Sequence, residues 1–168
     1  MGNERVLFYR TVSTPLGPFT LIADENHLLR ADFQEIGESN YDHRDKLVFS
    51  EEQTILAQAA AEITSYFAGT LRDFTTPYHM QTTVFRKRVW SELVQIPYGE
   101  TISYQTLANR IGNPKACRAV GQANHHNPLA IILPCHRVIG KDGKLVGYGG
   151  GLDKKTWLLD WEKKCSRR

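Results

Sequence analysis

A chain of 168 residues is long enough for one domain with a real core or for two small lobes packed together. With 41% hydrophobic and 23% charged residues, its composition excludes a disordered, collagen-like or coiled-coil chain. The net charge of +3 hides an uneven distribution: residues 1–82 hold 6 Lys+Arg against 12 Asp+Glu, a net of −6, and residues 83–168 hold 15 against 6, a net of +9.

A basic half of this kind suits either a polyanionic partner or a plain solvated lysine-rich surface. The N-terminus has no continuous apolar stretch, and the longest apolar run, "PLAIILP", is far too short to span a bilayer. Gly2 follows Met1, but Val6 stands where myristoylation needs Ser or Thr. A soluble cytoplasmic protein with no membrane partner is therefore expected. Cys117, Cys135 and Cys165 are odd in number and form no CxxC, which argues against a disulfide framework.

Three segments with strand character open the chain, "RVLFYRTV", "FTLIA" and "LLRADFQ", separated by turn-rich "STPLGP" and "DENH". They predict an antiparallel meander. A polar stretch over 35–49 leads to a helix, "TILAQAAAEITSYF", with Ser50 and Gln53 as a capping box and Gly69 beyond its end. "LRDFTTPYHMQTT" reads as a linker between an N-terminal lobe, 1–80, and a mostly helical C-terminal domain, 81–168.

In "TVFRKRVWSELVQI", Val84 or Phe85, Val89, Leu93 and Ile96 share one helical face. Ser103 caps "YQTLANRI", which ends at Gly112; Asn113 is expected to cap a second helix with Pro114 in its first position. The pair is a helix-turn-helix candidate. Lys115, Arg118 and Gln122 would form its polar face, while Ala116, Ala119 and Ala123 are small enough for a close backbone approach. "LAIIL" reads as a short buried strand, "VIGKDGKLVGY" as a hairpin about Asp142-Gly143, and "YGGG" as a loop. "LDKKTWLLDWEKK" is a final helix with Trp157, Leu158 and Trp161 inward and Glu162 at the edge of the buried face.

Cys135 admits three readings. A lone cysteine beside aliphatic residues is usually core. A metal set of Cys117, His125, His126, Cys135 and His136 matches no ordinary zinc spacing. As a nucleophile, Cys135 has a base beside it in His136 and a distant carboxylate, Glu162, to orient that base. Adjacent strand residues face opposite ways, so cooperation requires the chain to turn there or a bridging water. None of this selects a substrate; a DNA-binding module without chemistry and a Cys-His-Glu hydrolase both remain open.

"NPLAIILPCHRVIG", with "GETISYQTLANRIGNPKACRAVGQAN" before it and "YGGGLDKKTWLLDWE" after it, closely resembles the O6-alkylguanine-DNA alkyltransferases, or methylated-DNA-protein-cysteine methyltransferases, over about residues 83–163. The resemblance implies an α+β protein: a ribonuclease-H-like lobe with a three-stranded antiparallel sheet and a helix, then a winged helix-turn-helix-like domain. It implies single-turnover repair of double-stranded DNA containing O6-alkylguanine, bound through the minor groove with little sequence preference. The base is flipped out and its alkyl group passes irreversibly to Cys135; O4-alkylthymine is a second candidate substrate.

By matching position, His136 activates Cys135 through a water, Glu162 orients His136, Asn127 holds the preceding turn, and Tyr104 assists departure of guanine and crowds the phosphate. Arg118 fills the gap in the base stack, with Ser103, Tyr104, Lys115, Ala119 and Gln122 on the DNA-binding face. Tyr148, Gly149 and Gly150 wall the pocket, and the Val138 and Cys135 carbonyls meet the guanine edge. Gly149 stands where serine or alanine is common, so a side-chain hydrogen bond to O6 is not expected there. His125 and His126 are unusual before Asn127. The first lobe has no cysteine, so the structural zinc site of some relatives cannot form; no metal or cofactor is expected, and the protein is expected to be a monomer that can assemble on DNA.

Overall fold

Val6–Thr14 (β1) and Gly17–Ala23 (β2) pair antiparallel with Thr14 opposite Gly17, which leaves a two-residue loop and places Gly17 at φ +103°. Positive φ there is cheap for glycine alone. Leu28–Asp32 (β3) continues the meander on the far side of β2. The structure, a computed structural model, describes residues 4–36 and 44–168 and divides into two units, Met1–Met80 and Gln81–Arg168. Gly2 and much of the polar stretch over 35–49 lie outside the described residues.

The sheet has a strand that the sequence reading lacked. Lys46–Phe49 (β4) runs parallel to β1, giving the order β3-β2-β1-β4. Four residues whose partner is some forty positions away carry no local pairing signal, so the expected three-stranded sheet gains an edge.

Thr54–Phe67 (α1) packs across β1, β2 and β3 with Ile55, Leu56, Ala59, Ala60, Ile63 and Tyr66 buried. Each fully buried Leu or Ile contributes about 1.5–3 kcal/mol. Ser50 is not the cap: its Oγ accepts the Gln53 N–H at 3.0 Å, and Gln53 caps the helix by accepting from Leu56 N at 2.8 Å. At the other end Gly69, φ +80°, sits in a Schellman turn, with Gly69 N–H donating to Tyr66 O and Thr70 N–H to Ser65 O. The segment read as a linker belongs in part to this unit. Buried Glu62 accepts the backbone N–H groups of Thr75 and Thr76 at 2.8 and 2.7 Å, and Leu28 bonds Pro77 and His79.

In the second unit, Val84–Leu93 (α2) is capped by Thr83 and buries Val89, Trp90 and Leu93, with Ile96 beyond its end. Val84 is 77% exposed and has no part in that face. Trp90 Nε1 donates to Ala123 O at 2.8 Å and ties α2 to the helix that carries Ala123. Ile102–Ser103 (β5) leads into Tyr104–Arg110 (α3), capped by Ser103 and closed at Gly112, φ +76°. The next helix, Cys117–His125 (α4), starts later than expected. Asn113–Ala116 is instead a turn closed by Ala116 N–H on Asn113 O at 3.0 Å, and α4 has no side-chain cap.

Two further expectations are corrected. "LAIIL" is no strand: Leu133 N–H donates to Leu129 O and Ile132 N–H to Ala130 O, both at 2.8 Å, in a tight turn with Ile131 at φ +72°. A left-handed β-branched residue costs on the order of 1–3 kcal/mol, here held by full burial of its side chain. Asp142 and Gly143 form the expected turn at φ +62° and +79°, but no antiparallel ladder flanks it; Val138–Ile139 (β6) pairs in parallel with β5. Leu152–Ser166 (α5) ends the chain. Among the described residues no helix is long and apolar enough to cross a membrane.

Candidate active site and nucleic-acid interface

The turn over Leu129–Leu133 is held from its flank by Asn127, whose Oδ1 accepts Leu129 N–H at 3.0 Å and whose Nδ2 donates to Leu133 O at 2.8 Å. The chain then enters one 3₁₀ turn, Cys135–Arg137, secured by Cys135 N–H on Leu133 O at 2.7 Å and Arg137 N–H on Pro134 O at 3.0 Å. Successive side chains in such a turn are about 120° apart rather than opposed. That removes the strand geometry which would have separated Cys135 from His136.

All three side chains of the turn are buried, and α5 meets them with Glu162, itself 1% exposed. His136 Nε2 lies 3.0 and 3.1 Å from the two Glu162 oxygens. Arg137 Nε donates to the same carboxylate at 2.9 and 3.1 Å, and its Nη1 donates to Ile96 O at 2.7 Å. Burial alone would raise the Glu162 carboxyl. The charges and hydrogen bonds of His136 and Arg137 outweigh it and hold the group at about 2. His136 Nδ1, on the ring's other side, is buried with no protein partner among the described residues.

The buried face of α5 differs from the expected one. Lys155, Leu158, Glu162 and Cys165 point inward at helical spacing, so Glu162 is within the face rather than at its edge. Trp157 and Trp161 are half-buried and stack on each other at 5.4 Å. Lys155 Nζ donates to Val138 O at 2.7 Å, contacts the Val146 and Gly147 carbonyls at 3.4 and 3.3 Å, and lies 5.7 Å from the Tyr104 ring centroid.

Burial pushes the Cys135 thiol above its ordinary value; the Asn127 side chain, the Lys155 ammonium and the backbone N–H groups of Cys135 and His136 pull the other way. The group is thus a resting thiol that needs a base. Burial also raises Tyr104, against a lowering contact from the Asn124 amide, and its hydroxyl donates to Val146 O at 2.8 Å. Tyr148 is raised well above an ordinary phenol by burial and by its nearness to Cys135 and Glu162; its hydroxyl is buried without a partner among the described residues. Gly149 is exposed and Gly150 half-buried. A Cβ at Gly149 would meet only His125 O, at 3.8 Å.

On α4, Arg118, Ala119 and Gln122 are exposed on one face, and Val120, Ala123 and Asn124 are buried on the other. Lys115 is exposed too, but in the turn before the helix. Ser103 Oγ is engaged in capping α3, accepting from Thr106 N at 3.0 Å. Among the described residues no three His, Cys, Asp or Glu side chains gather as a metal-binding group.

Three participants escaped the sequence reading. Arg137 was visible only as a neighbour of His136, and Lys155 could have been found from its three-residue and seven-residue spacing to Leu158 and Glu162. Asn124, which donates to Cys135 O at 3.2 Å, was passed over between Gln122 and Asn127.

Two family profiles match nearly the whole chain. The ribonuclease-like domain of 6-O-methylguanine DNA methyltransferase matches residues 7–79, and the DNA binding domain of the same proteins matches 84–164. A methylated-DNA–protein-cysteine methyltransferase of Methanosarcina acetivorans is 45% identical, covering 95% of this chain and 100% of the relative. One from Mycobacterium tuberculosis is 44% identical, covering 94% and 93%. The crystal structure of Mycobacterium tuberculosis OGT in complex with DNA superposes with a TM-score of 0.84 at 42% identity, covering 94% of each chain. With both profiles matched in order and relatives of this identity aligned end to end, the chain belongs to the methylated-DNA–protein-cysteine methyltransferase family.

Proposed function

We propose that this protein reverses alkylation damage in duplex DNA by taking the O6-alkyl group of guanine onto Cys135, once per molecule. The observation that carries the reading is a buried thiol next to a buried imidazole whose Nε2 is fixed by Glu162 and whose Nδ1 is left over.

A thiol is nucleophilic only as its thiolate, and burial keeps Cys135 protonated. His136 takes the proton from Sγ through a bridging water at Nδ1, and the Glu162 carboxylate stabilises the imidazolium so formed. The thiolate attacks the alkyl carbon, a C–S bond forms, and the C–O6 bond breaks with its electron pair on guanine. Tyr104, a protonated phenol at neutral pH, delivers a proton to the departing base. The protein's proton gain at His136 and loss at Tyr104 balance, and guanine is restored. The thioether has no hydrolysable carbonyl, which leaves the cysteine spent.

The target carbon is inaccessible within a stack, so the nucleotide is flipped into the pocket at a cost of a few kcal/mol. Arg118 enters the vacated position while the small Ala119 lets α4 approach the minor groove, with Lys115, Gln122, Ser103 and Tyr104 along the backbone. The relative crystallised with DNA supports this partner. Gly149 and Gly150, with Tyr148, form the pocket wall, and the carbonyls of Cys135 and Val138 accept from the guanine 2-amino group. Restoration of guanine in a methylated duplex, counted against protein, tests the reading: one guanine per molecule is expected, and several per molecule would overturn it.

A further inference from the structure

We infer that Asn124 is a positioning residue that aims the Cys135 carbonyl at the substrate base and links the exposed face of α4 to the acceptor turn. The inference rests on the proposed reaction and deepens it.

Asn124 lies in the last turn of α4, buried to 6%, on the side opposite Arg118, Ala119 and Gln122. Its Nδ2 donates to Cys135 O at 3.2 Å. The same oxygen accepts the Val138 N–H that closes the 3₁₀ turn, so two fixed donors set the direction of this carbonyl. Val138 O is held in the same manner by Lys155 at 2.7 Å. Both carbonyls assigned to the base are thus fixed from behind by a buried donor. O6-alkylation removes the proton from guanine N1, so the 2-amino group is the N–H donor that remains on the base edge, with two hydrogens to place.

The other half of the amide argues against a packing role. Asn124 Oδ1 is buried with no partner among the described residues, a cost that an apolar side chain of similar size would avoid. Turning the amide over would set Oδ1 against the Cys135 carbonyl oxygen, so the donor orientation is fixed by chemistry.

The test uses two duplexes, one with O6-methylguanine and one with O6-methylhypoxanthine, which lacks the 2-amino group. Single-turnover methylation of Cys135 is followed by mass for the native protein, Asn124→Ala and Asn124→Leu, with thermal unfolding to verify that each variant is folded. The native protein should prefer the 2-amino substrate. Each variant should react with O6-methylguanine about fivefold to tenfold more slowly, the range of a single net hydrogen bond, with the hypoxanthine rate within about twofold of native. Asn124→Leu keeps the size and loses the donor without adding charge, so it serves if the alanine variant does not fold. Equal slowing on both substrates would reveal a structural role and overturn the inference, as would unchanged rates. A native protein that methylates Cys135 without preferring the 2-amino base would also overturn it, leaving the alkyl transfer intact. No methylation of Cys135 at all would instead remove the proposed function on which it rests.

Discussion

His136 Nε2 stands 3.0 Å from Glu162 Oε2, in a pair whose side chains are 0% and 1% exposed. The carboxylate is shared with Arg137, so two side-chain donors converge on one buried anion. Removing one partner of such an arrangement strands the others. Glu162→Gln should lower stability by about 3–5 kcal/mol. It should also slow alkyl transfer by about 100-fold, since the imidazolium loses its counter-charge. Chemical denaturation and single-turnover rates read the two effects; loss of stability with an unchanged rate would deny Glu162 its part in the reaction.

Acid should expose the same group. The Glu162 carboxyl sits at about 2 in the fold against an ordinary 4.5. A depressed carboxyl stabilises the fold above its ordinary value, and that contribution is lost as pH falls from 4.5 through about 2. Unfolding followed across this window should steepen in the native protein and flatten in Glu162→Gln. Parallel curves for the two proteins would contradict the assignment.

Lys155 supplies positive charge near a thiol that burial has raised. Lys155→Met should raise the thiol further, reduce transfer near pH 7 by about tenfold for each unit gained, and narrow that gap as pH rises. A loss of the same size at every pH would mean that Lys155 acts only by holding the carbonyls of Val138, Val146 and Gly147.

Arg118 is exposed on α4, away from the acceptor turn. Arg118→Ala should slow reaction with alkylated duplex by about tenfold or more while leaving reaction with the free base within about twofold, because only a duplex has a stack to refill. Equal losses on both substrates would count against the stacking role.

Lys115 offers a separable test of phosphate contact. Binding should weaken with added salt, and Lys115→Ala should reduce the slope of log affinity against log salt by about one, with no change in sequence preference. An unchanged slope would place Lys115 off the phosphate backbone.

Much of the architecture was legible because its signals are local. The first helix, the cap at Ser103, the glycines at 69 and 112 and the meander all follow from residues within a few positions of one another. β4 was not, because its stability lies in a distant parallel partner. "LAIIL" misled for another reason: a β-branched apolar run reads as strand, yet Asn127 bonds both ends of the segment and the chain between them turns with Ile131 left-handed. Cys135, His136 and Glu162 were found through residue type and resemblance. Lys155 and Asn124 were missed because lysine and asparagine are surface residues by default, and only the carbonyls facing them explain their burial.

The central claim is that Cys135 is the final resting place of the alkyl group. Incubation with duplex containing O6-methylguanine, followed by intact mass and peptide mapping, tests it most directly. The account predicts a permanent gain of about 14 Da, one methylene, on Cys135 and on neither Cys117 nor Cys165, complete after one equivalent of substrate. An unmodified protein, or a methyl group mapped to another residue, would contradict it.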